Sequence, residues 1–249
     1  MAGFIHKKNR FTSFQIIIGG FIAVILIGAL LLMLPVSSKA GIITPFNEAL
    51  FTSTSAVCVT GLVVQDTATY WSWFGQGIIL VLIQIGGLGV ITIAVSFALL
   101  SGRKISLMQR SVMQEAISAP KVGGIVRLTG FVLKGTFLVE FTASIIMMPV
   151  FVKDFGAKGI WMAIFHSISA FCNAGFDLMG INEEYSSFTK YAADPLVNIT
   201  IMLLIIIGGI GFTIWNEVRI KKFKLSRYSL HAKIVISTTL ILVFGGGLF

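Results

Sequence analysis

The most regular feature of the chain is the alternation of long apolar runs with shorter polar stretches. Residues 14–35 and 74–101 contain no charged side chain. Runs of this length match the roughly 20 residues that a helix needs to cross a bilayer core. Further apolar runs occupy residues 126–150 and 196–215, and another begins at residue 234. We therefore predict an all-α membrane protein.

A half-length segment lies between the two long runs of each pair, at residues 45–57 and 159–171. Each is too short to cross a bilayer and is followed within four residues by a glycine. If these segments crossed, the basic stretches 103–134 and 219–233 would fall on opposite sides of the membrane, against the positive-inside rule. We therefore predict re-entrant half-helices that turn back through extended backbone.

The two halves of the chain resemble each other at one fixed offset of 114 residues. The same offset aligns Pro35 with Pro149. Outside this alignment, the glycine-rich residues 85–89 resemble residues 207–211. We therefore predict tandem helix–pore loop–helix repeats, two complete and a third begun. The identical pairs are Ala49/Ala163, Phe51/Phe165, Ser53/Ser167, Ser55/Ser169, Ala56/Ala170, Cys58/Cys172 and Gly61/Gly175. The predicted divisions are an N-terminus (1–13), a first repeat (14–101), a linker (102–125), a second repeat (126–218), a basic linker (219–233) and the start of a third repeat (234–249).

Charge is distributed unevenly along the chain, which has a formal net charge of +9. Basic residues cluster at 7–10, 103–134 and 219–233, and most acidic residues lie in the other polar segments. This asymmetry predicts a cytoplasmic N-terminus and does not favour a nucleic-acid partner. The basic stretches are expected to contact membrane lipid headgroups or a cytoplasmic partner. The candidate docking residues are Arg103, Lys104, Arg219, Lys221 and Lys222.

The extended stretch after each half-helix is the candidate ion-binding segment. Irregular backbone at membrane depth occurs where it is buried in protein or lines a cavity, and its carbonyl groups can replace the hydration shell of an ion. A half-helix that points its C-terminus at the membrane centre would favour a cation there. The predicted ion-binding residues are Cys58, Val59, Thr60 and Gly61 in the first repeat and Cys172, Asn173, Ala174 and Gly175 in the second.

Residues 57–62 and 171–177 resemble the first two pore loops of the Trk/Ktr/HKT superfamily of potassium transporters, and most of all the membrane subunit of bacterial Ktr-type systems. The resemblance implies four helix–pore loop–helix repeats around one potassium-channel-like pore in the plasma membrane. It also implies potassium bound by the filter backbone, sodium as a second ion, a homodimer and a cytoplasmic nucleotide-binding regulatory subunit. Because the family has four repeats, we expect this chain to be part of a longer protein.

Several residues near the candidate loops allow two interpretations. Cys58 and Cys172 could form a metal or redox pair, but small buried residues beside the filter are the favoured interpretation. His166 is expected to be a buried histidine with its hydrogen bonds satisfied and not a proton relay. Glu140 lies inside an apolar run, where an ionisable residue suggests a functional role. It could face the permeation path, but a structural pairing with Lys134 or with a polar group of a neighbouring helix is favoured.

Asp177 and the glycine-rich stretches each allow two interpretations. Asp177 could concentrate cations at the outer mouth or could be an ordinary loop residue. The glycine-rich stretches could be phosphate-binding loops, but their apolar context favours close helix packing. The glycines concerned are Gly86, Gly87, Gly89, Gly208, Gly209 and Gly211.

Other function classes are less consistent with the sequence. An enzyme is not expected, because the chain lacks the Gly-x-Ser-x-Gly and His-Glu-x-x-His patterns. The repeats of secondary transporters are often inverted, whereas these two have the same orientation. A non-conducting scaffold or assembly subunit remains the alternative to potassium uptake.

Overall fold

Helices in the structure begin and end close to the apolar runs of the sequence. The computed structural model describes residues 12–90, 92–93, 107–116, 124–181, 183–222 and 224–246. The predicted basic residues 7–10, Arg103 and Lys104 lie outside these ranges. The α-helices are α1 (Ser13–Leu32), α2 (Phe46–Cys58), α3 (Trp73–Leu88), α4 (Leu107–Ala116), α5 (Ile125–Phe155), α6 (Lys158–Phe171), α7 (Pro195–Gly209), α8 (Phe212–Lys221) and α9 (Leu230–Gly246). Short 3-10 turns occupy Pro35–Ser37, Met179–Ile181, Thr189–Tyr191 and Leu225–Arg227.

Helices α1 and α5 are long and apolar enough to cross a membrane, with 20 and 31 residues. Their outward faces are apolar as well as exposed: Leu30 is 60% exposed and Phe141 is 65% exposed. Large apolar faces of this kind are stable in contact with lipid and not with water. The protein is therefore a membrane protein with a largely helical fold.

The starts of the helices follow from local capping chemistry. The Thr12 side chain accepts a hydrogen bond from the Gln15 backbone N–H, and the Gln15 side chain accepts one from the Thr12 backbone N–H. The two bonds form a capping box at the start of α1. Ser72 caps α3 by accepting from Gly75. Asp194 caps α7 by accepting from Val197, in front of a proline at the first helical position.

The second closing helix departs from the prediction of one continuous apolar helix over residues 196–215. Helix α7 ends at Gly209, α8 begins at Phe212, and the two are bent by 92°. Gly211 takes a φ of +94°, which lies outside the helical region. The Trp215 indole nitrogen donates to the Ile207 carbonyl at 2.9 Å and ties the two helices together. The prediction of a continuous helix here is therefore wrong, because a glycine with positive φ ends it.

The first closing helix has a break at the corresponding position. Helix α3 ends at Leu88, and Gly89 has a φ of +83°. Residues 92–93 are again helical. Residues 91 and 94–101 of this apolar run lie outside the described residues. In both repeats, a glycine therefore ends the helix that follows the candidate loop.

The linker predicted at 102–125 contains a helix. Helix α4 packs Val112 and Met113 against Ile125, at the start of α5, and against Ile16 and Ile17 of α1. An apolar contact of this kind fixes where the second repeat begins relative to the first helix. The described part of the predicted linker, Leu107–Ala116, is therefore helical.

Each half-helix is fixed to the preceding long helix by an equivalent serine. The Ser53 hydroxyl on α2 donates to the Ile25 carbonyl of α1 at 2.7 Å. The Ser167 hydroxyl on α6 donates to the Glu140 carbonyl of α5 at 2.6 Å. Ser53 and Ser167 are equivalent at the offset of 114 residues, and the acceptor Glu140 lies one residue beyond the equivalent of Ile25. The same serine therefore makes a closely similar contact in both halves.

Glycines of the closing helices allow close contact with the ends of the half-helices. A Cβ on Gly86 would lie 2.2 Å from the Val57 carbonyl oxygen, and one on Gly208 would lie 1.9 Å from the Phe171 carbonyl oxygen. A Cβ on Gly87 would lie 2.4 Å from the Cys172 sulfur. The prediction that these glycines serve close packing is confirmed at Gly86, Gly87 and Gly208, whereas Gly89 and Gly211 end helices.

A buried carboxylate joins the polar loops of the two repeats. Asp66 is 6% exposed, and its Oδ1 accepts from the backbone N–H groups of Ala68 and Thr69, each at 2.9 Å. Its Oδ2 accepts from the backbone N–H of Tyr185 at 3.0 Å. The Tyr185 hydroxyl in turn donates to the Val64 carbonyl. We call Asp66 and Tyr185 the loop clamp.

Replacing Gly86 by alanine should destabilise the fold, because the added methyl group would collide with the Val57 carbonyl. Overpacking of this kind costs about 1–3 kcal/mol. The measurement is the melting temperature of the purified protein in detergent. Gly77→Ala is the matched control on the same helix, since a Cβ there meets no atom within 4 Å. Equal melting temperatures for the two variants would contradict the close-packing assignment.

Replacing Asp66 by asparagine should weaken the loop clamp, because an amide N–H₂ cannot accept the hydrogen bonds that both carboxylate oxygens accept now. Loss of a hydrogen bond to a charged group costs about 1.5–3 kcal/mol, which is measurable as a lower melting temperature. Glu184→Gln removes the same charge from an exposed neighbour of Tyr185 and should leave the melting temperature unchanged. An equal effect of both changes would indicate a general charge effect and not a clamp.

Candidate ion-binding loops

Both half-helices end with the same backbone hydrogen bonds. After α2, the Thr60 N–H donates to the Ser55 carbonyl at 3.0 Å, and the Val59 N–H donates to the Ala56 carbonyl. After α6, the Ala174 N–H donates to the Ser169 carbonyl at 2.8 Å, and the Asn173 N–H donates to the Ala170 carbonyl. This pair of bonds is a Schellman motif, which satisfies carbonyls at a helix C-terminus. Residues 58–61 and 172–175, here the first and second loops, therefore leave their helices in the same way.

The Schellman motif places a residue other than glycine in the left-handed region of each loop. Val59 has a φ of +58°, and Asn173 has the same value at the equivalent position. Asparagine tolerates this conformation, whereas a β-branched valine rarely adopts it. Such strain costs on the order of 1–3 kcal/mol and is concentrated at functional sites. The surrounding packing therefore holds the first loop in a conformation that valine itself disfavours.

The two loops meet at their glycines. Gly61 and Gly175 have φ values of +72° and +73°. A Cβ on Gly61 would lie 2.7 Å from the Ala174 carbonyl oxygen, and one on Gly175 would lie 3.2 Å from the Gly61 Cα. Glycine is thus required here both for the backbone angle and for the approach of the two chains.

The predicted ion-binding residues differ in their exposure. Ala174 is buried, and Val59, Gly61 and Cys172 are half-buried. The expectation of two small buried cysteines is wrong for Cys58, which is exposed because it is the last residue of α2, beyond the buried Ala56 and Val57. The exposed members of the predicted set are Cys58, Thr60, Asn173 and Gly175. Within the described part of the chain, three or more His, Cys, Asp or Glu side chains do not gather into a metal site.

Electrostatics around the loops favour a cation. The C-termini of α2 and α6 both lead into the Gly61–Gly175 contact, so the negative ends of two helix dipoles converge there.

The Asn173 side chain donates to the carbonyls of Phe171 and Ile205, each at 3.4 Å. It thereby links the second loop to α7.

A cavity of about 240 Å³ lies beside the second loop. Asn173, Gly175, Asp177 and Ser187 contribute to its wall. Burial raises the pKa of the Asp177 carboxyl, and so does the negative charge of Asp66. The hydrogen bond that Asp177 Oδ1 accepts from the Met179 backbone N–H, at 2.8 Å, lowers this pKa. Asp177 is thus held by the loop and also faces a cavity, so both of its proposed roles stay open.

His166 lies behind the second loop as a buried side chain. It is 1% exposed, and its Nε2 accepts from the Leu178 backbone N–H at 2.8 Å. Phe151, Phe165 and Phe188 surround its ring. The histidine therefore fixes the segment after the second loop to α6. The prediction of a buried side chain is confirmed, but the prediction of satisfied hydrogen bonds is wrong at Nδ1, which is buried without a hydrogen-bond partner among the described residues.

Glu140 pairs with a polar group of a neighbouring helix. The Gln84 side chain on α3 donates to Glu140 Oε1 at 3.0 Å, and Glu140 is 4% exposed. Of the two expected partners, the neighbouring helix is confirmed, and Lys134 forms no ion pair with Glu140 among the described residues. The contact joins the closing helix of the first repeat to the first helix of the second.

Three features of the site were not predicted from sequence. The loop clamp joins Asp66 to a residue 119 positions away, which no local pattern shows. Gln84, the partner of Glu140, was not singled out in the apolar run that contains it. The strain at Val59 was also missed, although its alignment with Asn173, a residue common in left-handed backbone, was a usable signal.

The chain matches the family model described as TrkH, cation transport protein, over residues 6–245. It is 39% identical over 240 residues to the potassium/sodium uptake protein NtpJ of Enterococcus hirae, covering 96% of this chain and 52% of that protein. It is 42% identical over 237 residues to the Ktr system potassium uptake protein B of Bacillus subtilis, covering 95% of this chain and 52% of the relative.

A protein of the same name from Vibrio alginolyticus is 36% identical over 238 residues, covering 94% of this chain and 51% of that protein. The chain thus spans about half the length of the curated relatives it matches. These relatives are named for ion uptake and not for a catalysed reaction. The family match extends over nearly the whole chain and includes both loops and the helices that hold them. The chain belongs to the TrkH family of cation transport proteins.

Proposed function

We propose that this protein takes up potassium across the plasma membrane through a pore in which the backbone carbonyls of the first and second loops contact the ion. The proposed ion-contacting residues are the eight predicted from sequence, Cys58 to Gly61 and Cys172 to Gly175. The Gly61–Gly175 contact carries the proposal, because it brings together two extended segments, each at the C-terminus of a half-helix. Carbonyl groups and dipole ends that converge in this way stabilise a cation after it loses its water.

The proposal extends to orientation and partners. The positive-inside distribution of Lys and Arg supports a multi-pass protein with its N-terminus in the cytoplasm. The names of the relatives, which include a potassium/sodium uptake protein and Ktr system proteins, support potassium as the transported ion and sodium as a second one. By the same resemblance we propose a homodimer that works with a cytoplasmic nucleotide-binding regulatory subunit.

A non-conducting scaffold or assembly subunit is the second candidate. The scaffold reading predicts that the loop glycines tolerate replacement, and the pore reading predicts that they do not.

Gly61→Ala should abolish most potassium uptake, because the added Cβ would lie 2.7 Å from the Ala174 carbonyl on a residue with positive φ. Strain on the order of 1–3 kcal/mol in the conducting state corresponds to a reduction in uptake of about five-fold or more. The measurement is growth and potassium uptake at low external potassium in cells that lack their own uptake systems. The proteins compared are the chain alone and the chain joined to the second half of the Bacillus subtilis relative.

The matched control is Gly41→Ala, which has a similar φ of +67° but no atom within 4 Å of its Cβ. It should leave uptake intact in whichever protein restores growth. If Gly61→Ala is as active as Gly41→Ala at equal expression, the loop assignment is wrong. That result would support the scaffold function. Uptake by the chain alone would mean that two copies supply the loops of one pore.

A further inference from the structure

A polar pocket lies between the two repeats, at the end of the molecule where α3 and α6 begin. Its volume is about 350 Å³. Lys39, Thr69, Trp73 and Gln76 line it from the first repeat, and Lys158 and Trp161 line it from the second. The remaining lining residues are uncharged, so two lysines give this pocket a net positive charge without an acidic side chain in its wall.

The lysines of the pocket have no carboxylate partner in the described part of the chain. Neither Lys39 nor Lys158 forms an ion pair there. Lys39 donates one N–H to the Ala68 carbonyl and keeps its other donors. Asp66, which precedes this part of the wall, keeps its negative charge, but its oxygens accept from backbone and hydroxyl donors and it pairs with neither lysine.

The start of α6 brings one of the two lysines to the pocket. The helix begins at Lys158, and this residue and Trp161 both line the wall. The Gly159 and Ile160 N–H groups of the first turn already donate to the Gly156 and Ala157 carbonyls, at 2.9 and 3.3 Å. The positive charge at this end of α6 therefore comes from the Lys158 ammonium group.

The aromatic residues of the pocket indicate its depth in the membrane. Trp73 is 56% exposed at the first position of the apolar helix α3, and its ring lies 5.7 Å from that of Trp161. The Trp161 indole donates to Gln76 Oε1 at 2.9 Å, which fixes the ring at the wall. Tryptophans in such positions mark the level of the lipid headgroups.

We propose that this pocket binds the phosphate of an anionic phospholipid headgroup, held by Lys158 and Lys39 with Trp73 and Trp161 beside the upper acyl chains. Lysine side chains near the level of the headgroups attract anionic lipids. The bound lipid would span the boundary between the two repeats, since Lys39 precedes the first half-helix and Lys158 opens the second. The proposal requires only that the protein is embedded in a bilayer, and it does not depend on the proposed function.

The test measures how much phosphatidylglycerol and phosphatidylcholine the purified chain retains from mixed-lipid nanodiscs, by mass spectrometry. Wild-type protein should retain phosphatidylglycerol preferentially. Lys158→Gln should reduce the preference by roughly five-fold, which is the effect of one lysine near an anionic lipid. Lys153→Gln is the control, because this exposed lysine on the last turn of α5 lies outside the pocket, and it should leave the preference unchanged.

Folding is checked separately by the melting temperature in detergent, where Lys158→Gln should match the wild type before lipid is added. Phosphatidylglycerol should then raise the melting temperature of the wild type more than that of Lys158→Gln. An equal loss of preference in the Lys153 and Lys158 variants would overturn the proposal. Equal stabilisation by inorganic phosphate at the same concentration would also overturn it, because it would assign the pocket to free phosphate and not to a lipid.

Discussion

The structure depends on the need to satisfy backbone polar groups where each half-helix ends. An unpaired N–H or C=O in hydrocarbon costs several kcal/mol. Here the half-helices end in Schellman motifs that satisfy part of this need internally. Glycines on the closing helices then bring a second layer of protein within contact distance of the same ends. Protein packing therefore supports the irregular backbone from the side of the closing helices, while Cys58, Thr60, Asn173 and Gly175 stay exposed.

Both repeats solve this problem with equivalent residues. The serines that fix the half-helices, the left-handed residues at their ends and the loop glycines all recur at an offset of 114 residues. Contacts between the repeats are different in kind, because they are made once and join unlike partners. The loop clamp, the Gln84–Glu140 pair and the Gly87–Cys172 contact belong to this group. The repeat thus builds each loop, and the unique contacts place one loop against the other.

The sequence was sufficient for the elements that have a periodic or repeated signal. The half-helices predicted at 45–57 and 159–171 are observed at Phe46–Cys58 and Lys158–Phe171, within one residue at each end. The breaks after α3 and α7 were not predicted, because hydropathy does not distinguish a glycine packed within a helix from one that ends it. Long-range partners such as Asp66 and Tyr185 were not predictable either, since their pairing depends on the meeting of two loops.

The bend after Gly209 has a consequence for the path of the chain through a bilayer. Helix α7 has 15 residues, which correspond to a length of about 22 Å, less than the roughly 30 Å of a hydrocarbon core. A helix of this length cannot cross the core by itself, so the chain either completes a crossing through α8 or turns back at Gly211. The two paths place the basic end of α8, with Arg219 and Lys221, on opposite sides of the membrane.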